Sequence, residues 1–314
     1  MREAAIIDLL RSAAGNRAAR GLADDAAVWS PPIGRDLVLT HDTIAAGVHY
    51  LPDDDPSDIA WKLVAVNLSD LAAKGASPRG VLLGLTLSDE DAAWCERFVS
   101  GLRRVLGDHQ VDLWGGDTVR ASATVLGCTA IGDVQPGQAL SRSGGQPGDL
   151  LFVSGTIGDA ALGLAAQRGA VPADKYLQRR YRLPFARLQL GQGLFGAGAA
   201  AAMDVSDGLL IDASRLADAS AVQVRLDLAA IPLSPEARGR LPGGDEGALA
   251  AATAGDDYEL LFTAPECARP DLEALAQRAR TPITCIGSVA AGSGLTVIGT
   301  GGQILTPDRL GYEH

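Results

Sequence analysis

Seven aspartates carry the chemistry this sequence offers: Asp24, Asp25, Asp42, Asp70, Asp117, Asp204 and Asp207. Asp42 follows Leu37-Val38-Leu39, which reads as a buried strand ending at Thr40-His41-Asp42. In α/β proteins ligands gather beyond the carboxyl ends of strands, so this carboxylate is expected to reach solvent and a ligand. Asp117 follows an expected short strand, 111–114, through Gly115-Gly116, and two glycines let backbone approach a ligand closely. Strand-like residues also lead to Asp204, after which Ser206 and Asp207 are placed to cap a helix over 208–219. Capping accounts for one of these three residues and not for all of them. Adjacent carboxylates such as Asp24-Asp25 are costly to bring together unless a cation sits between them. Aspartate, rather than His or Cys, is the donor that a hard cation such as Mg²⁺ takes. The expectation is a cluster of Mg²⁺ ions that holds ATP phosphates.

The elements that position these groups follow from periodicity. Residues 57–74 predict a helix apolar nearly all round, and therefore buried, with Ser57 as N-cap and Gly75 just past its end. Asn67, Asp70 and Lys74 share one facet of it. A polar facet on a buried helix needs partners: an Asp70–Lys74 ion pair or a metal or phosphate site would both serve. Helices are expected over 4–13, from Ser88, over 159–168, over 179–198 with a break at Pro184, and over 270–280. Strands are expected over 26–29, 81–87, 123–131, 149–153, 222–228, 282–289 and 295–298. Ser154 to Asp159 makes a strand, glycine turn and helix start, a geometry that suits anions. No G-x-x-x-x-G-K-[ST] stretch occurs, so it is not a P-loop. Asp256, Asp257 and Glu259 enter an apolar strand. His49 lies seven residues beyond Asp42. Arg142, in Ser-Arg-Ser-Gly-Gly, either reaches a phosphate or is simply solvated.

The bulk properties bound the function. With 314 residues, 47% of them hydrophobic and 21% charged, the chain is long enough for about two domains and a real core. The Gly- and Pro-rich stretch 132–148 marks the boundary, giving domains 1–137 and 138–314. A net charge of −11 argues against nucleic-acid binding, although divalent metals reverse the local field for phosphates. Four widely spaced cysteines suggest free thiols in a reducing compartment rather than disulfides or a zinc site. No secretory h-region and no run of 18 apolar residues is present. The expectation is a cytoplasmic protein without membrane partners.

Nine stretches in order resemble the thiamine-monophosphate kinase family, within the aminoimidazole-ribonucleotide-synthetase-like superfamily. They are ADDAAV at 23–28, THDTIAAGVHY at 40–50, VNLSDLAAKGASP at 66–78, WGGDT at 114–118, LSRSGGQPGD at 140–149, SGTIGDAALGL at 154–164, MDVSDGL at 203–209, GDDYELLF at 255–262 and the terminal GYEH. The resemblance implies an α/β and α+β fold of two domains, with the N-terminal sheet pairing in a homodimer. It implies ATP and thiamine monophosphate as substrates and thiamine diphosphate as product. It assigns Mg²⁺ to Asp25, Thr40, His41, Asp42, Asp70, Asp117, Asp204 and Asp207, and ATP to Gly116, Asp117, Arg142 and Ser206. Thiamine monophosphate falls to His49, Asp256 and Tyr312. The family carries a small hydroxyl residue where His41 stands, so here the backbone carbonyl remains as the donor. Selenophosphate synthetase is disfavoured because the first cysteine, Cys95, lies inside an expected helix. Hydrogenase-maturation relatives are disfavoured because the chain ends in GYEH rather than a cysteine tail. A non-catalytic nucleotide sensor and a metal-dependent phosphatase are the readings from other classes.

Overall fold

The computed structural model describes residues 3–313. Chain contacts divide it into two units, residues 3–71 with 76–137, and residues 72–75 with 138–313.

The first unit is a four-stranded sheet with its helices. In chain order it holds α1 (Glu3–Arg11), β1 (Asp36–Ala45), α2 (Pro56–Ala73), β2 (Ser77–Leu87), α3 (Ala92–His109), β3 (Asp112–Arg120) and β4 (Val125–Val134). The strand order is β1-β4-β2-β3, with only β2 and β3 parallel. β1 is longer than the apolar triplet at its start predicts. Leu37 and Leu39 are exposed, at 45% and 63%, and Ile44 is buried. Side chains alternate across a strand, so Val38, Thr40, Asp42 and Ile44 share the inner face, and Leu37, Leu39, His41 and Thr43 the outer. Thr40, His41 and Asp42 therefore lie inside β1 and not beyond its end. Likewise Gly115, Gly116 and Asp117 lie within β3. Residues 26–29 form no strand; Val28 N–H donates to the Ala18 carbonyl instead. α2 is apolar all round and almost wholly buried. Asp55 Oδ1, not Ser57, takes the first free amide at its start. Gly75 ends it at φ +72, with the Ala76 amide on the Leu71 carbonyl.

The second unit carries β5 (Asp149–Ser154), α4 (Asp159–Gln167), α5 (Lys175–Arg182), α6 (Leu188–Leu194), β6 (Ala201–Val205), α7 (Leu209–Ser220), β7 (Gln223–Asp227), α8 (Pro235–Arg238) and α9 (Asp245–Ala252). β8 (Glu259–Pro265), α10 (Arg269–Arg278), β9 (Ile283–Ala290), β10 (Gly294–Ile298) and β11 (Ile304–Leu305) follow. Its seven-stranded sheet runs β11-β10-β7-β9-β5-β8-β6, parallel only at β10–β7. α7 packs its apolar face, Leu209, Leu210, Ala213, Leu216 and Ala217, into a core with Leu151, Met203 and Leu261. No described helix is long and apolar enough to cross a membrane.

Candidate active site

In the first unit the inner face of β1 meets the polar facet of α2. Thr40 Oγ1 donates to Asp70 Oδ2. Asn67 Oδ1 accepts the Asp42 amide at 2.9 Å, and its Nδ2 donates to the Leu63 carbonyl at 2.9 Å. The backbone of α2 thus fixes Asn67, and Asn67 in turn holds the β1 backbone at Asp42. Beneath, Cys128 is buried, and burial together with the nearby Asp42 charge pushes its thiol up.

His41 and Asp117 are elsewhere. His41 Nδ1 bonds Thr129 Oγ1 at 2.8 Å on the outer face. The pairings Thr43–Gly127, Gly127–Gly84 and Gly84–Asp117 put Asp117 on that same outer face, three strands from β1. At about 4.8 Å per strand that is about 14 Å, too far for one ion to touch Asp42 and Asp117 of the same chain. Gly116 is required by close approach: a Cβ there would stand 2.0 Å from the Leu83 carbonyl oxygen. Asp25 lies in an exposed loop, its amide on Asp24 Oδ1 at 2.9 Å, and Asp24 is paired with Arg20. His49 Nδ1 accepts the Ala45 amide at 3.1 Å, and the buried Lys62 Nζ donates to the His49 carbonyl at 2.8 Å.

In the second unit three separate stretches are laced together by backbone. The Asp256 amide donates to the Ser206 carbonyl and the Tyr312 amide to the Asp207 carbonyl, each at 2.8 Å. Asp256 and Tyr258 both take left-handed backbone, at φ +72 and +51, which costs roughly 1–2 kcal/mol for each such residue. Gly255 and Gly311 allow the approach: a Cβ would meet the Ser206 oxygen at 2.6 Å and the Asp207 oxygen at 2.6 Å respectively. Ser206 and Asp207 do not cap α7, whose N-cap is Gly208 with no side-chain bond. The reverse holds. Asp212, in the first turn of α7, accepts the amides of Ser206 and Asp207 at 3.1 Å each. Arg215 bonds Asp212 at 2.8 Å and also reaches Asp207. Burial pushes the Asp212 carboxyl up to about 6, opposed by the Asp207 amide and Arg215. Asp204 is buried on β6. Arg142 is exposed, its carbonyl accepting from Ser220 Oγ at 3.0 Å.

Sequence reading missed the network that braces these loops. Asp257 Oδ2 accepts the Gly158 amide at 2.7 Å at the start of α4. Burial pushes Asp257 up to about 8, against the pull of Arg180. Glu259 takes Arg180 at 2.8 Å, Arg187 at 2.7 and 2.5 Å, and Ser154 Oγ at 2.6 Å. Burial opposes its charge, but Arg187 and Arg180 hold it below its ordinary value. The three acids of GDDYE were visible; their arginine partners, more than 70 positions away, were not.

Family models place this arrangement. Residues 23–134 match "AIR synthase related protein, N-terminal domain", and 146–300 match its C-terminal domain. The thiamine-monophosphate kinase of Escherichia coli K12 is 42% identical over 302 residues, covering 94% of this chain and 91% of that protein. This chain belongs to the thiamine-monophosphate kinase family. The crystal structure of the Stenotrophomonas maltophilia thiamine-monophosphate kinase superposes with a TM-score of 0.86 at 41% identity, over 95% of this chain and 96% of that one. AaThiL complexed with AMPPCP and TMP superposes at 0.78 and 29% identity, over 100% and 99%. The expected two-domain fold is therefore the observed one.

Proposed function

We propose that this protein is an ATP-dependent thiamine-phosphate kinase that converts thiamine monophosphate to thiamine diphosphate. Full-length similarity to the family supports the reaction. The observation that ties it to this chain is the lacing of Ser206, Asp207, Asp256 and Tyr312 by main-chain bonds, since ATP and acceptor must meet. We assign Ser206, Arg142, Gly116 and Asp117 to ATP, and His49, Asp256 and Tyr312 to thiamine monophosphate.

The donor set fits Mg²⁺. Among the described residues no three of His, Cys, Asp and Glu converge into a metal cage. What is present is hard oxygen in ones and twos: the Thr40–Asp70 pair with Asp42 on the same strand face, buried Asp204, and Asp207, on which a guanidinium already stands in for a cation. Mg²⁺ usually keeps several waters and takes one or two carboxylates plus substrate phosphates. Asp25, Thr40, Asp42, Asp70, Asp117, Asp204 and Asp207, with the His41 carbonyl, are the groups we assign to it. Bound there, Mg²⁺ would screen the repulsion between the two phosphates and the charge that develops on the transferring group.

The chain's own residues then need only orient. The acceptor is a phosphate whose second pKa is about 6, so at neutral pH it is already largely deprotonated. No general base is called for, and the transfer is direct and in line, with no phosphoenzyme. Asp117 lies on the wrong face to join Asp42 within one chain, so we assign it to the site of a second copy. The outer sheet face, with exposed Leu37, Leu39 and Val119, is the surface through which a homodimer would form. We place the protein in the cytoplasm, where its four free cysteines would stay reduced.

Phosphorus NMR of the protein with ATP, Mg²⁺ and thiamine monophosphate tests the reading. Paired diphosphate resonances of thiamine diphosphate should grow as ATP is consumed. Inorganic phosphate in their place would mean a phosphatase, and no turnover with nucleotide bound would mean a sensor.

A further inference from the structure

Arg215 is the charged side chain at this site that the reaction leaves unexplained. It sits on α7 one turn beyond Asp212, so the two share a helix face. A single nitrogen, Nη1, bonds both Asp212 Oδ1 at 2.8 Å and Asp207 Oδ2. Asp212 is fully buried and is itself held by the Ser206 and Asp207 amides. Arg215 is 38% exposed along its side chain and Asp207 22%. The Asp212 end of this chain of contacts is buried, and the Asp207 end opens to solvent.

Two carboxylates so close need positive charge between them. Here the guanidinium supplies it, bonded to one oxygen of the Asp207 carboxylate that is assigned to metal above. A guanidinium and a dication held on one carboxylate repel each other strongly. The planar guanidinium also suits phosphate oxygens better than most donors.

We propose that Arg215 is a built-in counter-cation that competes with divalent metal for Asp207, and that metal gains Asp207 only when the guanidinium leaves it, nucleotide phosphate being the anion that receives it. This rests on the assignment of Asp207 to metal made above. It makes Arg215 a positioning residue: it blocks metal capture before nucleotide arrives and couples metal entry to nucleotide binding.

The test is metal binding without turnover. Free Mn²⁺ is followed by its electron paramagnetic resonance signal as it is titrated into nucleotide-free protein, for the unaltered chain, Arg215→Gln, Asp207→Asn and the double variant. Circular dichroism confirms that each is folded. Arg215→Gln should bind one Mn²⁺ about tenfold tighter or more, as expected from removing one like charge beside a dication. Asp207→Asn in the Arg215→Gln background should remove that gain. Adding ADP should raise Mn²⁺ affinity more in the unaltered chain than in Arg215→Gln. Unchanged Mn²⁺ affinity in Arg215→Gln overturns the proposal. So does a gain that survives Asp207→Asn, because the metal would then be bound elsewhere. No kinase turnover enters any of these readouts, so the absence of thiamine diphosphate formation would be a separate failure.

Discussion

Replacing Glu259 with Gln isolates the charge that braces the second unit. The side chain is fully buried, and Gln keeps its volume while removing its charge. Two guanidiniums depend on that charge: Arg180, 12% exposed and 2.8 Å away, and Arg187, 19% exposed and bonded through two nitrogens. Arg180 has Asp159 as a second carboxylate, at 3.6 Å, whereas Arg187 has no other carboxylate within ion-pair distance among the described residues. Removing one partner of a buried ion pair costs roughly 3–5 kcal/mol because the other charge is left uncompensated. At about 1.4 kcal/mol per tenfold, this is a fall of roughly a hundredfold to several thousandfold in the folding equilibrium. The probe matters. All four tryptophans, Trp29, Trp61, Trp94 and Trp114, lie in the first unit, so their fluorescence does not follow the second. Urea unfolding read by far-UV circular dichroism should show the loss, in the part of the transition contributed by the second unit. A loss under about 1 kcal/mol, the scale of an exposed pair, would refute the argument that this network braces the site.

Gly101→Ala on α3 should destabilise the first unit by about 1–3 kcal/mol, the usual cost of overpacking. The new Cβ would stand 2.0 Å from the Ser57 carbonyl oxygen, and tryptophan fluorescence in urea would read the loss. Asp42→Asn and Asp70→Asn should each abolish phosphoryl transfer while leaving the circular dichroism spectrum unchanged; near-normal turnover in both would remove the metal assignment. Asp212 titrates near 6 folded against an ordinary 3.8, so the folded state binds more protons between those values. Its contribution to stability is therefore full below about pH 4 and is lost as pH rises through about 6. The difference in urea midpoint between the unaltered chain and Asp212→Asn should move in that sense between pH 4.5 and 7.

The order of elements was legible because apolar periodicity reflects burial. α2, β5, α4 and α10 lie within about two residues of where their patterns placed them, whereas β2 begins at Ser77 rather than at 81 and α3 at Ala92 rather than at Ser88. The reading failed where apolar residues face out. Leu37 and Leu39 look like the inside of a buried strand, but they lie on the exposed outer face of β1, while Thr40 and Asp42 alternate inward. Strand ends were consequently drawn before Asp42 and Asp117, and both aspartates turned out to be mid-strand. Helix capping misled in the same way at Ser206 and Asp207, where the bonds run from their amides to Asp212. The aspartates proposed to hold Mg²⁺ stood out by residue type and by the family resemblance. The residues that brace the site did not, because Arg180, Arg187 and Arg215 are ordinary surface types until folding brings Glu259 or Asp207 against them.

The most direct test of the account is acceptor-dependent ADP formation. Purified protein, ATP and Mg²⁺ are incubated with and without thiamine monophosphate, with EDTA as a control, and nucleotides and thiamine esters are separated by chromatography. The account predicts equal amounts of ADP and thiamine diphosphate, and neither when acceptor or metal is withheld. ADP released without thiamine monophosphate, or its presence making no difference, would contradict it.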